Sequence, residues 1–120
     1  MSTFFDSPIE IEKPWGKFVQ FTKDEPSTVK ILTIKKREAF SLQYHKEREE
    51  FWLVISGVGT VQIGEEVFEI KQSSHFFIPK GVNHRINAGE EDVVVLEIST
   101  GHFDEDDIVR LEDRYGRVNQ

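Results

Sequence analysis

The sequence predicts an all-β domain of sandwich or barrel type, and three observations carry that prediction. Apolar and polar residues alternate in steps of two along most of the 120 residues. The alternating runs are short, and turn residues such as Ser56-Gly57-Val58-Gly59 and Gly89-Glu90-Glu91-Asp92 divide them. The runs also follow one another at close spacing, as expected where sheet packs on sheet or closes on itself.

Taken in order, Lys17 to Thr22, Val29 to Lys35 and Ala39 to His45 read as strands. Glu50 to Ser56 and Gly59 to Ile63 follow, and Gly64-Glu65-Glu66 turns the chain into Val67 to Ile70. His75 to Ile78 runs into Pro79-Lys80-Gly81, a turn signal, and His84 to Asn87 leaves it. Val93 to Thr100 is the strongest strand. The end departs from this pattern. Asp104 is a helix cap, Glu105, Asp106 and Asp107 suit the positive end of a helix, and Ile108, Leu111 and Tyr115 fall at i, i+3 and i+7. A short helix over about 105–114 is therefore expected, its apolar stripe against the barrel.

A chain of this length builds one core but not two, so residues 1–120 are expected to form a single domain. With 38% hydrophobic and 31% charged residues it has the balance of a soluble globular protein. No apolar run is long enough to span a bilayer, and the start lacks a basic region before an apolar one. No membrane association is expected. Cysteine is absent, which removes disulfides, thiolate ligands and a cysteine nucleophile and fits a cytoplasmic location. A net charge of −7 repels phosphate backbones, so no nucleic-acid partner is expected. Lys30, Lys35, Lys36 and Arg37 nevertheless provide local positive charge for a small anion.

Two stretches carry candidate chemistry. In the run from Ser41 to Glu50, strand alternation places Ser41, Gln43 and His45 on one face. Glu50 opens the next strand and shares a face with Trp52 and Val54, so the turn between can return its carboxylate to the same ion. In Pro79-Lys80-Gly81-Val82-Asn83-His84, a sharp turn delivers His84 to the start of a strand. Two imidazoles, a carboxylate and an amide oxygen form a mixed N/O site for a divalent metal. Zinc suits it first, with manganese, iron, nickel or cobalt as alternatives. Either half alone is a common accident of composition; the pair within one β pattern is not.

Pro79-x-Gly81-x-x-His84-x-x-x-Asn87 is the second motif of the cupins complete, and Gln43 to Gly57 resembles the first. The resemblance extends to the cupin of type II mannose-6-phosphate isomerases, which is also the C-terminal module of bifunctional phosphomannose isomerase/mannose-1-phosphate guanylyltransferases. Lys13-Pro14-Trp15-Gly16, Ser41-Leu42-Gln43-Tyr44-His45, Trp52-Leu53-Val54-Ile55-Ser56-Gly57, Ile78-Pro79-x-Gly81-x-x-His84-Arg85 and the run from Asp106 to Arg117 carry it. It implies a double-stranded β-helix, or jelly-roll barrel, and a homodimer. Where that family has its second ligand histidine, this chain has Glu47, which is either a substitute ligand or dispensable beside Gln43, His45, Glu50 and His84.

The resemblance implies interconversion of mannose 6-phosphate and fructose 6-phosphate, a reaction that needs a cation, a base and a phosphate cradle. The base is Glu97, a carboxylate interrupting the apolar strand Val93 to Ile98, or Glu50 if the latter is not a ligand. The bland alternative is that Glu97 pairs with a buried cation. Arg110 and Arg117, with Arg85 and Lys17, are the phosphate candidates, though Arg110 can equally pair with acids along the expected helix. Phe51, Phe68, Phe76 and Phe77 read as core or dimer contacts, while Trp15 and Trp52 either wall a sugar pocket or pack. Two further functions compete: a non-catalytic cupin that binds a sugar or metabolite, and a metal-dependent cupin enzyme such as a dioxygenase. Nucleotidyl transfer is not expected, because the chain has no Gly-rich phosphate-cradling loop.

Overall fold

In the computed structural model, which describes residues 4–118, the chain is built from strands and turns with no helix among the described residues. None is thus long and apolar enough to cross a membrane. The strands are β1 (Phe4–Lys13), β2 (Gly16–Thr22), β3 (Ser27–Ile34), β4 (Leu42–Tyr44), β5 (Arg48–Ser56), β6 (Gly59–Ile63), β7 (Glu66–Glu69), β8 (His75–Ile78), β9 (His84–Ala88), β10 (Val93–Gly101) and β11 (Val109–Glu112). They form a four-stranded sheet in the order β3-β10-β5-β8, a five-stranded sheet in the order β11-β4-β9-β6-β7, and a separate β1-β2 hairpin. Every pairing is antiparallel. Trp52, Val54, Ile78, Val93 and Val95 from one sheet and Val61, Ile86 and Ala88 from the other make one buried cluster, so the two sheets face each other. This is the jelly-roll barrel that the alternation pattern and the motifs predict.

The register explains why one end of the barrel is polar. On β5 the inward residues run Val54, Trp52, Glu50, Arg48, all buried. Val95 lies opposite Val54, Glu97 opposite Trp52 and Ser99 opposite Glu50, while Lys30 of β3 lies opposite Glu97. Residues paired across antiparallel strands share a face. The inner wall therefore climbs from an aliphatic floor through Trp52 to a belt of acids and cations at the mouth. In the other sheet Gln43 lies opposite both His84 and Arg110, which brings those three side by side.

The outer face of β5 is also apolar, and the hairpin covers part of it: the Phe21 ring sits 5.1 Å from that of Phe51, which is fully buried. β1 has no counterpart among the predicted strands, although Ile9-Glu10-Ile11-Glu12 alternates. Close approach of β6 to β9 requires a glycine, since a Cβ on Gly59 would lie 2.0 Å from the Asn87 carbonyl oxygen.

Two predicted elements are corrected. The strand expected from Ala39 to His45 is reduced to β4, with Ala39 making only an isolated bridge to Asn87. The helix expected over 105–114 does not form. Asp104 and Asp106 carbonyls accept from the Asp107 and Ile108 N–H groups in tight turns, and Val109–Glu112 then pairs with β4. A helix of that length is marginal without tertiary support. The edge of β4 offers the same backbone groups a ladder, and Val-Arg-Leu-Glu alternates well enough to take it.

Candidate metal centre at the barrel mouth

His45, Glu50 and His84 meet inside the mouth, with ligand atoms all within 4.8 Å of one another and all three side chains buried. His84 Nε2 lies 3.3 Å from Glu50 Oε1, and His45 Nε2 lies 3.7 Å from Glu50 Oε2. Local structure sets each one. Glu50 points inward by the alternation of β5. His84 opens β9 after a turn in which Gly81 takes a positive φ of 76° and its N–H donates to the His45 carbonyl at 2.8 Å. That bond ties the two histidine-bearing segments together.

The hydrogen bonds fix which ring nitrogen faces inward. His84 Nδ1 donates to the Val82 carbonyl at 3.0 Å, and His45 Nδ1 donates to the Asp107 carbonyl at 2.7 Å. With Nδ1 protonated, each Nε2 turns its lone pair inward, the arrangement by which outer partners orient metal-binding imidazoles. That of His84 has no partner, while that of His45 accepts from Arg48 Nη2 at 3.3 Å. Burial pushes both rings down to about 4, so both are neutral at neutral pH. Glu50 is pushed up by burial against the pull of Arg48.

The chemistry of the donors can be tested against a metal on one observation. Glu50 Oε1 and His84 Nε2 are buried, face each other and have no hydrogen-bond partner. Two orphaned acceptors at that spacing are costly unless something positive lies between them. Glu50 Oε2 is already engaged by Arg48 Nε at 3.3 Å and Ser99 Oγ at 3.4 Å, which leaves Oε1 as the ligand atom. A buried His–Glu–His group of this kind can hold a divalent ion.

The other predicted residues divide clearly. Gln43 borders the centre, but its amide nitrogen faces His45 Nε2 at 3.5 Å and its oxygen accepts from Ser41. It would ligate only after a half-turn of the amide. Glu47 lies exposed on the turn after His45, outside the cluster, because the turn carries its side chain away from the barrel. Glu97 is buried on the inner wall, as its place in an apolar strand suggests, and accepts from Trp52 Nε1 at 3.2 Å. Arg110 and Arg117 line the mouth, a cavity of about 370 Å³ shared with Lys30, Arg48, Glu50 and Glu97. Arg110 reaches it from β11 and not from a helix. Arg110 Nε is buried without a hydrogen-bond partner. Arg85 and Lys17 are not at the mouth. Arg85 binds Glu112 and the Phe40 carbonyl on the sheet, and Lys17 pairs with Glu10 on the exposed hairpin.

Sequence reasoning missed Arg48 and Asp107. Arg48 shares the alternation of Glu50 and Trp52, which was signal enough to place it inside. Asp107 carried no local signal, because its role depends on partners about 60 residues away in the chain.

Glu97 yields a pH-dependent expectation. Burial, then the nearby Glu50 charge, raises it from the ordinary 4.5 to about 7. Its contribution to the metal-free fold is therefore complete below its unfolded value and is lost as pH rises through about 7. Glu97→Gln keeps an acceptor for Trp52 and removes the ionisation. Its stability relative to wild type should rise by on the order of 2–3 kcal/mol between about pH 4.5 and pH 8. Urea unfolding at the two pH values checks this, and a constant difference would show that Glu97 carries no raised carboxyl.

Comparison with known proteins places the site in a family. The family described as mannose-6-phosphate isomerase C-terminal matches residues 5–113. The chain is 39% identical over 111 residues to the mannose-1-phosphate guanylyltransferase ManC of Salmonella typhimurium, covering 91% of this chain and 23% of that protein. It is also 39% identical over 111 residues to the xanthan biosynthesis protein XanB of Xanthomonas campestris, covering 91% and 24%. The chain thus spans about a quarter of the length of the curated relatives it matches. The Cnp3 cupin domain of Schizosaccharomyces pombe, 14% identical, superposes with a TM-score of 0.60 over 82% of this chain and 90% of that one, a likeness of fold. These findings correct the expected activity. The curated relatives are named for mannose-1-phosphate guanylyltransfer and for polysaccharide biosynthesis, not for isomerisation of mannose 6-phosphate, so the isomerase expectation does not stand. The chain has the cupin fold, and it belongs to the mannose-6-phosphate isomerase C-terminal family.

Proposed function

We propose that this chain is a metal-holding cupin module that binds a mannosyl phosphate, or a closely related sugar phosphate, in its barrel mouth. The observation that carries the reading is the pair of buried, unpartnered acceptors, Glu50 Oε1 and His84 Nε2, beside a buried and unpartnered Arg110 Nε at the same mouth. The first pair calls for a cation and the last for an anion, and a metal-bound sugar phosphate supplies both. The names of the relatives supply the sugar class.

His45, Glu50 and His84 would hold the ion, with Gln43 at the border of the site. When bound, the ion offers a Lewis-acid centre to a ligand oxygen. Arg110, free at Nε, would take the phosphate, and Lys30 and Arg117, paired with Glu105 and Asp113, line the mouth beside it. Glu97, protonated at or below about neutral pH, is placed to bond a sugar hydroxyl. Trp52 closes the floor below them.

Calorimetry of zinc-loaded protein against mannose 1-phosphate, GDP-mannose and unphosphorylated mannose tests the reading. Mannose 1-phosphate should bind more tightly than mannose, and Arg110→Ala should weaken the phosphate ligand by roughly 10–100-fold, the worth of one charge-assisted hydrogen bond. Equal binding of mannose and its phosphate, or no binding of any of the three, would remove the sugar phosphate from the proposal.

A further inference from the structure

We infer that Asp107 is a positioning residue for the metal centre: it clasps the turn after His45 and sets the direction in which that imidazole presents its lone pair. The inference rests on the reading of His45, Glu50 and His84 as a metal site, and it concerns what makes that site competent.

The two histidines are oriented by different means. His84 Nδ1 donates to the carbonyl of Val82, two residues before it. Its orientation comes from its own turn and needs nothing distant. His45 Nδ1 donates to the carbonyl of Asp107, 62 residues further along the chain. That carbonyl is held where it is because the Asp107 carboxylate accepts two backbone N–H groups of the same turn, Lys46 at 2.9 Å and Glu47 at 2.9 Å, one on each oxygen. The aspartate therefore grips residues 45–47 three times. Its neighbours add to the clasp: the Asp104 carbonyl accepts from Arg48 Nη1 at 3.1 Å, and Glu105 pairs with Lys30 at 2.7 Å.

The carboxylate matters through geometry. Without it, the Lys46 and Glu47 N–H groups lose their acceptor and the 104–108 turn loses its anchor on the mouth. The acceptor for His45 Nδ1 then drifts. Arg48, whose Nη2 donates to His45 Nε2 at 3.3 Å, is itself held by the Asp104 carbonyl of that turn and shifts with it. A neutral imidazole that has lost its Nδ1 acceptor and this donor is free to carry its proton on Nε2, the atom the centre needs bare. Removing such an orienting partner typically costs 10–100-fold in metal affinity.

The experiment compares wild type with Asp107→Ala and Asp107→Asn by two readouts. Long-range proton–nitrogen NMR of the imidazoles in metal-free protein near neutral pH reports the tautomers, and titration with zinc against a chromophoric chelator reports affinity. In wild type both His45 and His84 should carry the proton on Nδ1. In Asp107→Ala, His45 should move to a mixture with Nε2–H and zinc affinity should fall ~10–100-fold, while His84 keeps its tautomer. Asp107→Asn, which retains one oxygen acceptor, should lie between. A structural role alone would lower the unfolding midpoint and leave the His45 tautomer in place. An unchanged His45 tautomer, or zinc affinity within about two-fold of wild type, overturns the inference. If Asp107→Ala does not fold, Asp107→Asn decides by the same criteria. If wild type binds no zinc, the metal reading fails, and the tautomer comparison still decides whether Asp107 orients His45.

Discussion

Alanine in place of His84 should abolish the stabilisation that a divalent ion gives this chain. An ion present at about 100 times its dissociation constant stabilises a folded protein by about 2.7 kcal/mol, provided it does not bind the unfolded chain. Wild type should show a gain of that order on addition of zinc. His84 supplies an Nε2 with no competing partner, and its loss leaves only His45 and Glu50, both already shared with Arg48. Since disturbing even an outer partner costs 10–100-fold, loss of a ligand should cost more than about 100-fold. Thermal unfolding with and without zinc, in both proteins, measures the difference. Working from that difference matters, because His84 also packs edge-on against Trp52, with ring centroids 5.3 Å apart, and its removal will lower the metal-free midpoint too. If the variant keeps the full zinc-dependent gain, the ion binds elsewhere.

Trp52→Ala should be the most damaging single truncation in the barrel. The indole is almost fully buried at the level where the aliphatic floor meets the polar mouth, and it touches both sheets. It meets Phe40 edge-on at 6.0 Å and donates to Glu97 at 3.2 Å. Truncating a core Trp costs ~3–5 kcal/mol through lost burial and the cavity left behind. Leaving Glu97 without its donor adds to that cost. Against a typical domain stability of 5–15 kcal/mol this approaches the whole margin. Trp52→Phe fills much of the space and should lose clearly less. Urea unfolding of both variants checks the order, and a loss under about 1 kcal/mol for Trp52→Ala would contradict the core described here.

The residues of the centre were readable because each follows from a local rule. Alternation on β5 turns Glu50 and Trp52 inward, a Pro-x-Gly turn delivers His84, and alternation from β4 into the residue after it orders Gln43 and His45. The same rule applied one step earlier would have found Arg48. Glu97 was legible as a carboxylate in an otherwise apolar strand, but its raised proton affinity owes part of its size to Glu50, on a strand far away in sequence. Arg85 shares a matched segment with His84, and Lys17 adjoins another matched segment, yet both lie outside the mouth. A side chain one position off the inward row points away, and a hairpin outside the two facing sheets cannot reach in.

The C-terminal segment shows where local reading stops. Its acids and its i, i+3, i+7 spacing describe a plausible helix, and nothing within those residues argues otherwise. The outcome was settled by an unfilled strand edge on β4, which offers a hydrogen-bonded ladder that a ten-residue helix cannot match on its own. That choice carries Arg110 to the mouth and Asp107 onto His45. The sequence by itself determined the period of two, hence the strands, the inward rows and the inventory of ligands, because side-chain direction along a strand depends only on neighbours. Tertiary structure alone decided which rows lie level with one another, which acid sits beside which, and what holds His45 in place, because register and edge pairing join residues that the chain keeps far apart.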